Sequence, residues 1–392
     1  MNTTLRILVA FLLAWGLHVQ SKAEMESDFG AYKISLLTCH PGEAGYELYG
    51  HTAIRVCHPQ TGMDWTYNYG IFDFDSPNFL GRFILGETNY MLGVAPFNRF
   101  IYQYAMQGRR VDEQVLNLTS AEKERLIAAL EKNAQPEHRV YRYDFFSNNC
   151  VTMAIDKIVD CLDGQVIWPV AIPDQTFRSM LNNHTAQSPW HQFGQSLLLG
   201  AEADTIVGLR EQCFSPIYTQ RFFQNARIKN SAGEQRPLVA SESILLHAKS
   251  SASALLVTPK VAFALLLVLS VALSWLYIRG WRRTFACFDV VVLLLTGFCG
   301  CLLAVLCFAS EHPAVSHNYT LLLLHPLTLV LVPWQWWLKR KGKLNFTAYV
   351  QVALVVAYLV GVGLFKIQEP TVELCLIAAT IVVVNLAKII HK

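Results

Sequence analysis

Two hydrophobic patterns divide this chain. After Pro259 the apolar residues run almost unbroken, at 261–278, 285–308, 319–338, 346–365 and 372–390. Each run is close to the roughly 20 residues that a helix needs to cross a bilayer, so five transmembrane helices are predicted. Before Pro259, polar and apolar residues interleave as they do in a globular domain. Alternation over 31–38 and 52–57 predicts strands, and Pro41, Gly42, Gly45 and Gly50 mark the loop between them. An aromatic-rich run at 65–74 predicts a third strand, and further strands are expected at 110–117 and 138–146. Thr119-Ser120-Ala121-Glu122 is a capping-box sequence, opening a helix that runs to about Asn133. A second helix starts at Cys150 and runs to about Val159, with others at 173–183, 190–200 and 215–226. Phe97, Phe100, Ile101 and Tyr104 recur at helical spacing and read as a core-facing stripe. Residues 228–257, Ser-rich toward their end, read as a linker.

The first residues carry the marks of export. Arg6 precedes a short apolar core, Ile7 to Leu17, and Ser21-Lys22-Ala23 offers small residues for cleavage. The expected organisation is a signal peptide at 1–23 (or, in the alternative, an uncleaved anchor), an extracytoplasmic domain with its linker at 24–257, and a transmembrane domain of five helices at 258–392. Charge sets the orientation. Arg279, Arg282 and Arg283 follow the first span, Lys339, Arg340, Lys341 and Lys343 the third, and Lys388 and Lys392 end the fifth. The positive-inside rule makes those ends cytoplasmic and places loops 309–318 and 366–371 on the exported side. An odd number of spans also leaves the 24–257 domain outside. Location in the cytoplasmic (inner) membrane with a periplasmic domain follows.

Composition agrees: 53% hydrophobic and 16% charged residues suit a chain that is part globular and part embedded. A net charge of +3, with no basic stripe outside the membrane loops, excludes nucleic acid as a partner.

Five cysteines, at 39, 57, 150, 161 and 213, fall in the exported part, and an odd number leaves at least one unpaired. Cys39–Cys57 and Cys161–Cys213 are the candidate bridges. Cys150 has the context of a nucleophile. It follows Ser147-Asn148-Asn149 at a helix start, where unpaired amides and the helix dipole favour a thiolate. The turn at Asn149 also brings amides that can receive an oxyanion. His51, at the mouth of a strand beside Gly50, is the candidate base. Asn68 is the candidate third residue, to hold the imidazole, with Asp64 and Asp73 as alternatives. The dipeptides Cys39-His40 and Cys57-His58 invite a metal reading. Neighbours on a strand point to opposite faces, so each would give one ligand, and neither a metal nor a cofactor is expected. His312, His317 and Asn318, in an exported loop at headgroup level, are candidate substrate-binding residues, although interfacial loops are polar by default.

A histidine on an early strand and a cysteine at a later helix start resemble the order in circularly permuted papain-like (NlpC/P60-like) thiol enzymes, an α+β fold. The closer resemblance is to the Lnb-type lipoprotein N-acyltransferase family. It rests on Ser35-Leu36-Leu37-Thr38-Cys39, Tyr49-Gly50-His51-Thr52-Ala53-Ile54-Arg55-Val56, Tyr67-Asn68-Tyr69-Gly70-Ile71-Phe72-Asp73-Phe74 and Tyr141 through Cys150, and in the membrane part on His317-Asn318-Tyr319 through Leu324 and Pro326-Leu327. The resemblance implies transfer of an acyl chain from a phospholipid, through a Cys150 thioester, to the α-amine of a diacylglyceryl-cysteine lipoprotein, with His51 as the catalytic histidine. The alternatives are a membrane-tethered cysteine peptidase or amidase acting on cell-wall peptide, a thiol phospholipase, and a non-enzymatic lipoprotein-binding protein.

Overall fold

A computed structural model of the chain describes residues 29–72, 77–249, 257–340 and 346–391. Residues 1–23, where a signal peptide is expected, and Asp73 lie outside the described residues. The elements run β1 (Lys33–Cys39), β2 (His51–His58), β3 (Met63–Ile71), α1 (Phe79–Leu85), β4 (Asn89–Pro96), α2 (Phe97–Met106), β5 (Val111–Leu116) and α3 (Ser120–Ala134). They continue with β6 (Val140–Arg142), α4 (Cys150–Val159), β7 (Gln165–Ile167), α5 (Phe177–Thr185), α6 (Pro189–Leu198), α7 (Leu209–Gln212), α8 (Pro216–Asn225), β8 (Arg227–Lys229), β9 (Gln235–Pro237) and β10 (Val239–Leu246). The apolar half supplies α9 (Pro259–Ile278), α10 (Arg282–Ala309), α11 (Leu327–Arg340), α12 (Phe346–Gly363) and α13 (Val372–Ile390).

These elements form two compact units, and the chain changes unit more than once. The first unit holds the residues up to Pro77, then Thr88–Pro173, then the chain from Gly208 through β10. The second holds Asn78–Glu87, Asp174–Val207 and the membrane helices.

In the first unit an antiparallel sheet runs in the order β10-β5-β1-β2-β3-β4-β6. Strand alternation gives it two apolar faces. Ile34, Leu36, Ile54, Val56, Tyr67 and Tyr69 point into a core completed by Leu126 and Leu130 of α3, Val151, Ala154, Ile155 and Ile158 of α4, and Phe222 and Phe223 of α8. On the opposite face Leu37, Cys39, Ala53 and Val111 meet Phe100 and Tyr104 of α2, so the stripe at 97–104 is core as expected. At the start of α3, Thr119 Oγ1 accepts from Glu122 N at 3.3 Å, and Glu122 Oε2 accepts from Thr119 N at 2.8 Å. The capping box is formed as read.

Three expectations need correction. Residues 228–257 do not begin as a linker: they contain β8, β9 and β10, and β10 pairs with β5 along the edge of the large sheet. An edge strand with exposed side chains can be polar without ceasing to be a strand, which hid it. The strand expected at 138–146 shrinks to Val140–Arg142, because Asp144 and Asn148 bridge to each other and close a turn. The proposed bridges are absent as well: all ten cysteines are unpaired thiols. In the β1–β2 register Cys39 faces His51 while Cys57 faces Lys33. The two cysteines are therefore six strand positions apart, about 20 Å, far beyond disulfide reach. Cys161 and Cys213 stand in the core as free thiols.

The second unit carries five stretches long and apolar enough to cross a membrane. The third is not one continuous helix. Short 3-10 turns at Pro313–Val315 and Tyr319–Leu322 precede α11, which contains Pro333. Gly297 and Gly300 of α10 let this segment come close, since a Cβ on Gly300 would lie 2.6 Å from the His325 carbonyl carbon. Inside the bundle Lys388 Nζ meets Asp289 Oδ1 at 2.8 Å, and Asn385 Nδ2 donates to Gln351 Oε1 at 2.7 Å. Segment 174–207 is bolted to the outer loops of these helices. Arg178, 1% exposed, donates to the carbonyls of Ser196, Leu199 and Gly200 and pairs with Asp204. Asp204 Oδ2 in turn accepts from Glu369 N at 3.1 Å.

Candidate active site

His51 opens β2, and the backbone immediately before it is tightly set. Gly50 has φ +77°, and a Cβ there would lie 2.8 Å from the Cys39 carbonyl oxygen, so only glycine fits without strain. Along β2 and β3 the register pairs Ile54 with Tyr67. Continued outward, it sets Ala53 against Asn68 and His51 against Gly70, which makes His51 and Asn68 diagonal neighbours on one face. Asn68 Oδ1 accepts from His51 Nε2 at 2.5 Å. A carboxamide oxygen can only accept, so this bond puts the proton of a neutral ring on Nε2 and leaves Nδ1 to take another.

Cys150 is the first residue of α4, and Asn149 is its cap. The Asn149 Oδ1 accepts from Val151 N at 2.8 Å and from Thr152 N at 3.0 Å, while Asn149 N donates to Thr152 Oγ1 at 2.9 Å. Its Nδ2 donates to the carbonyls of Phe145 and Phe214. Both ends of the Asn149 amide are thus committed to holding the turn, and the side chain serves the helix start rather than open space.

Gly70 joins the two halves. It lies in a β3–β4 irregularity between Asn68 and Ile71, has φ +91°, and a Cβ on it would sit 3.4 Å from Cys150 Cβ and 3.8 Å from His51 Cε1. The missing side chain is the space in which cysteine and histidine meet. Burial opposes charge on both groups. For Cys150 it is outweighed by the His51 charge and hydrogen bond and by backbone N–H bonds from Thr52 and from Cys150 itself, and the thiol falls below its ordinary 9.0. For His51 burial is likewise outweighed, by Cys150 and then Asn68, and the imidazole rises above its ordinary 6.5. The two shifts have one cause, a thiolate–imidazolium attraction at short range.

Around this pair lies an aromatic wall that the sequence did not announce as part of the site. Tyr90 and Tyr143 stack at 4.0 Å between ring centres, and Tyr69 meets Tyr141 edge-on at 6.1 Å. Burial, then the nearby Cys150 charge, raises the phenols of Tyr90 and Tyr141, that of Tyr90 to about 12, and burial, then Tyr90, then Cys150 raises that of Tyr143. Gly70 belongs to the Tyr67–Phe74 motif, and its signal there is a glycine two residues after a candidate orienting asparagine. Cys39, opposite His51, is fully buried and pushed up to about 12, mainly by burial, so it is an inert thiol.

The remaining candidates have other partners. Asp64 is doubly bonded to the Arg55 guanidinium, at 2.8 and 2.6 Å. His40, of the Cys39-His40 dipeptide, pairs with Asp112 at 2.8 Å. His312, His317 and Asn318 belong to the second unit. His312 Nε2 donates to the Phe83 carbonyl, and His317 Nδ1 lies 3.2 Å from Glu202 Oε1. Asn318 is buried, donates to the Leu197 and Leu198 carbonyls and accepts from Thr320 N.

Comparison with family models matches residues 20–183 to the Lnb N-terminal periplasmic domain and residues 250–392 to the Lnb transmembrane domain. Neither a curated protein nor a solved structure matches the chain.

Proposed function

Because the chain belongs to the Lnb family of lipoprotein-maturation membrane proteins, we propose that it is a lipoprotein N-acyltransferase whose nucleophile is Cys150. It is a multi-pass inner-membrane protein with a periplasmic N-terminal domain and five spanning segments. The observation that carries the proposal is the Cys150–His51–Asn68 chain: a thiol lowered by an imidazole that an asparagine holds from behind. Its order along the chain and its place at a helix start fit a permuted papain-like thiol fold.

The reaction proceeds in two halves. The Cys150 thiolate attacks the ester carbonyl of a phospholipid, forming a C–S bond. The ester C–O bond then breaks, and the departing lysophospholipid oxygen takes its proton from the His51 imidazolium. In the second half the α-amine of a diacylglyceryl-cysteine lipoprotein attacks the thioester. A C–N bond forms, the C–S bond breaks, and the amine proton passes to His51, restoring the starting pair. The N–H groups of Cys150 and Thr52, which bond the sulfur in the resting state, are the donors at hand for the oxyanion of each tetrahedral intermediate. Asn68 keeps the ring facing the sulfur through both halves. This scheme needs only residues of the chain itself together with the phospholipid donor and lipoprotein acceptor.

The test is mass spectrometry of acid-quenched protein after incubation with phospholipid and no amine acceptor. An acyl adduct on the Cys150 peptide, absent in Cys150→Ala, is expected, and addition of a diacylated lipopeptide should discharge it to the N-acyl product. Full transfer by a protein whose Cys150 is never modified would overturn the mechanism. Discharge to free fatty acid at the same rate with and without the amine would make the protein a hydrolase instead.

A further inference from the structure

The segment between β3 and β4 leaves the first unit and joins the second. Its helix, α1, reads Phe79-Leu80-Gly81-Arg82-Phe83-Ile84-Leu85, five large apolar residues in seven, yet none of its residues is buried. Leu80 is 69% exposed and Phe83 40%. A helix this apolar with no core face is unfavourable in water, since each exposed apolar side chain orders or displaces solvent without compensation.

Its hydrogen bonds fix its depth. Leu85 O accepts from Glu311 N at 2.8 Å, and Phe83 O accepts from His312 Nε2 at 3.0 Å. The Phe83 ring also meets the His312 ring edge-on, 6.0 Å between centres. Gly86, with φ +79°, ends the helix against Glu311, where a Cβ would already be 3.1 Å from the Glu311 Cβ. Residues 311 and 312 come just after the end of α10 at Ala309 and its cap Ser310. Arg279, after α9, and Arg282 and Arg283, which open α10, mark the cytoplasmic side, so the Ala309 end of α10 is its periplasmic one. The C-terminus of α1 is therefore held at the headgroup layer. A second mark in the same unit agrees: Trp190 of α6 donates from Nε1 to Val257 O and packs with Phe193 on Phe263, in the first turns of α9. Tryptophan at this level is the usual sign of the lipid–water boundary.

We infer that α1 is a membrane-inserting helix, with Leu80 and Phe83 among the acyl chains of the periplasmic leaflet and Arg82, its one charged residue, reaching back to the headgroups. The lipid-facing surface of the five spans thus continues onto a segment of the exported part. The partner of this surface is the bilayer itself, and the inference stands whatever reaction Cys150 performs.

The test is photo-crosslinking of the full-length protein in vesicles of phosphatidylethanolamine and phosphatidylglycerol with deuterated acyl chains. A benzophenone amino acid replaces Leu80, Phe83 or, as an exposed control in the first unit, Tyr102, which is 65% exposed. Mass-spectrometric adducts with deuterated lipid are expected at 80 and 83, at least tenfold above those at 102. Equal lipid adducts at all three positions, adducts to protein instead of lipid at 80 and 83, or none there would overturn the assignment. The readout needs no turnover, so it can be repeated in Cys150→Ala, and its failure is distinguishable from failure of the proposed chemistry.

Discussion

Cys150 and His51 are each shifted by the other, and this coupling has a measurable sign. The thiol lies below 9.0, because the imidazolium and two N–H donors outweigh burial, and the imidazole lies above 6.5 because the thiolate outweighs it. Activity should rise with pH as the thiolate forms, at a midpoint below 9.0, and fall again as the imidazolium loses its proton, at a midpoint above 6.5; both midpoints belong to the pair. Alkylation of Cys150 by iodoacetamide isolates the acid limb. In His51→Ala the alkylation midpoint should climb to 9.0 or higher, since burial then acts with only the N–H bonds against it. An unchanged midpoint would remove His51 from the site. At this scale the sequence was informative about types and silent about space. A cysteine at a helix start, a histidine at a strand mouth and an asparagine on the next strand could all be named from local pattern. The tyrosine wall could not, because Tyr90, Tyr141 and Tyr143 come from β4, from β6 and from just past β6, and meet only when the sheet is assembled.

Among the elements, the start of α4 does the most to place the proposed nucleophile. Asn149 caps the helix and ties two flanking carbonyls, those of Phe145 and Phe214, to the same point. Asn149→Ala removes the cap and leaves those carbonyls without their donor, so a loss of about 2–4 kcal/mol of stability is expected, with activity reduced through misplacement of Cys150. Unfolding of the purified protein in detergent measures it, and a change below about 0.5 kcal/mol would show that the cap is dispensable. Helices with strong caps and strands with strict alternation were legible: α3 and α4 lie within a residue or two of their expected bounds. The strand β4 leaves little mark in the sequence, since Gly93 and Pro96 are poor strand formers. In the sheet they are tolerated, Gly93 packing against Ile71 and Pro96 ending the strand. β10 escaped because a solvated edge needs no hydrophobic alternation.

Across the whole molecule, sequence order and spatial grouping part company. Beyond the expected signal peptide, composition changes once, at Pro259, and predicts one boundary there, whereas the chain moves between its two units at 78–87 and again at 174–207. Such returns leave no trace in periodicity, because the contacts that define them are made with parts of the chain far off in sequence. Gly200 is the closest of these contacts: its amide donates to Ala314 O, and a Cβ would fall 1.7 Å from the Ser316 carbonyl oxygen. Gly200→Val should therefore detach segment 174–207 from the outer loops. Limited proteolysis of the full-length variant is expected to cut within that segment while the sheet unit stays protected, and a wild-type cleavage pattern would show the contact to be inessential.

The two excursions also bear on how the protein is made. Residues 78–87 and 174–207 emerge from the ribosome, and are exported, before the loops at 310–322 and 364–371 that receive them have been synthesised. Until the last helix is inserted, the buried guanidinium of Arg178 has Asp204 and its nearby carbonyls but not the Glu369 amide that closes the clasp behind Asp204. Maturation of segment 174–207 must thus wait for those loops to be made, and a ribosome that stalls before them would leave that segment exported yet unfinished, a natural substrate for quality-control proteolysis.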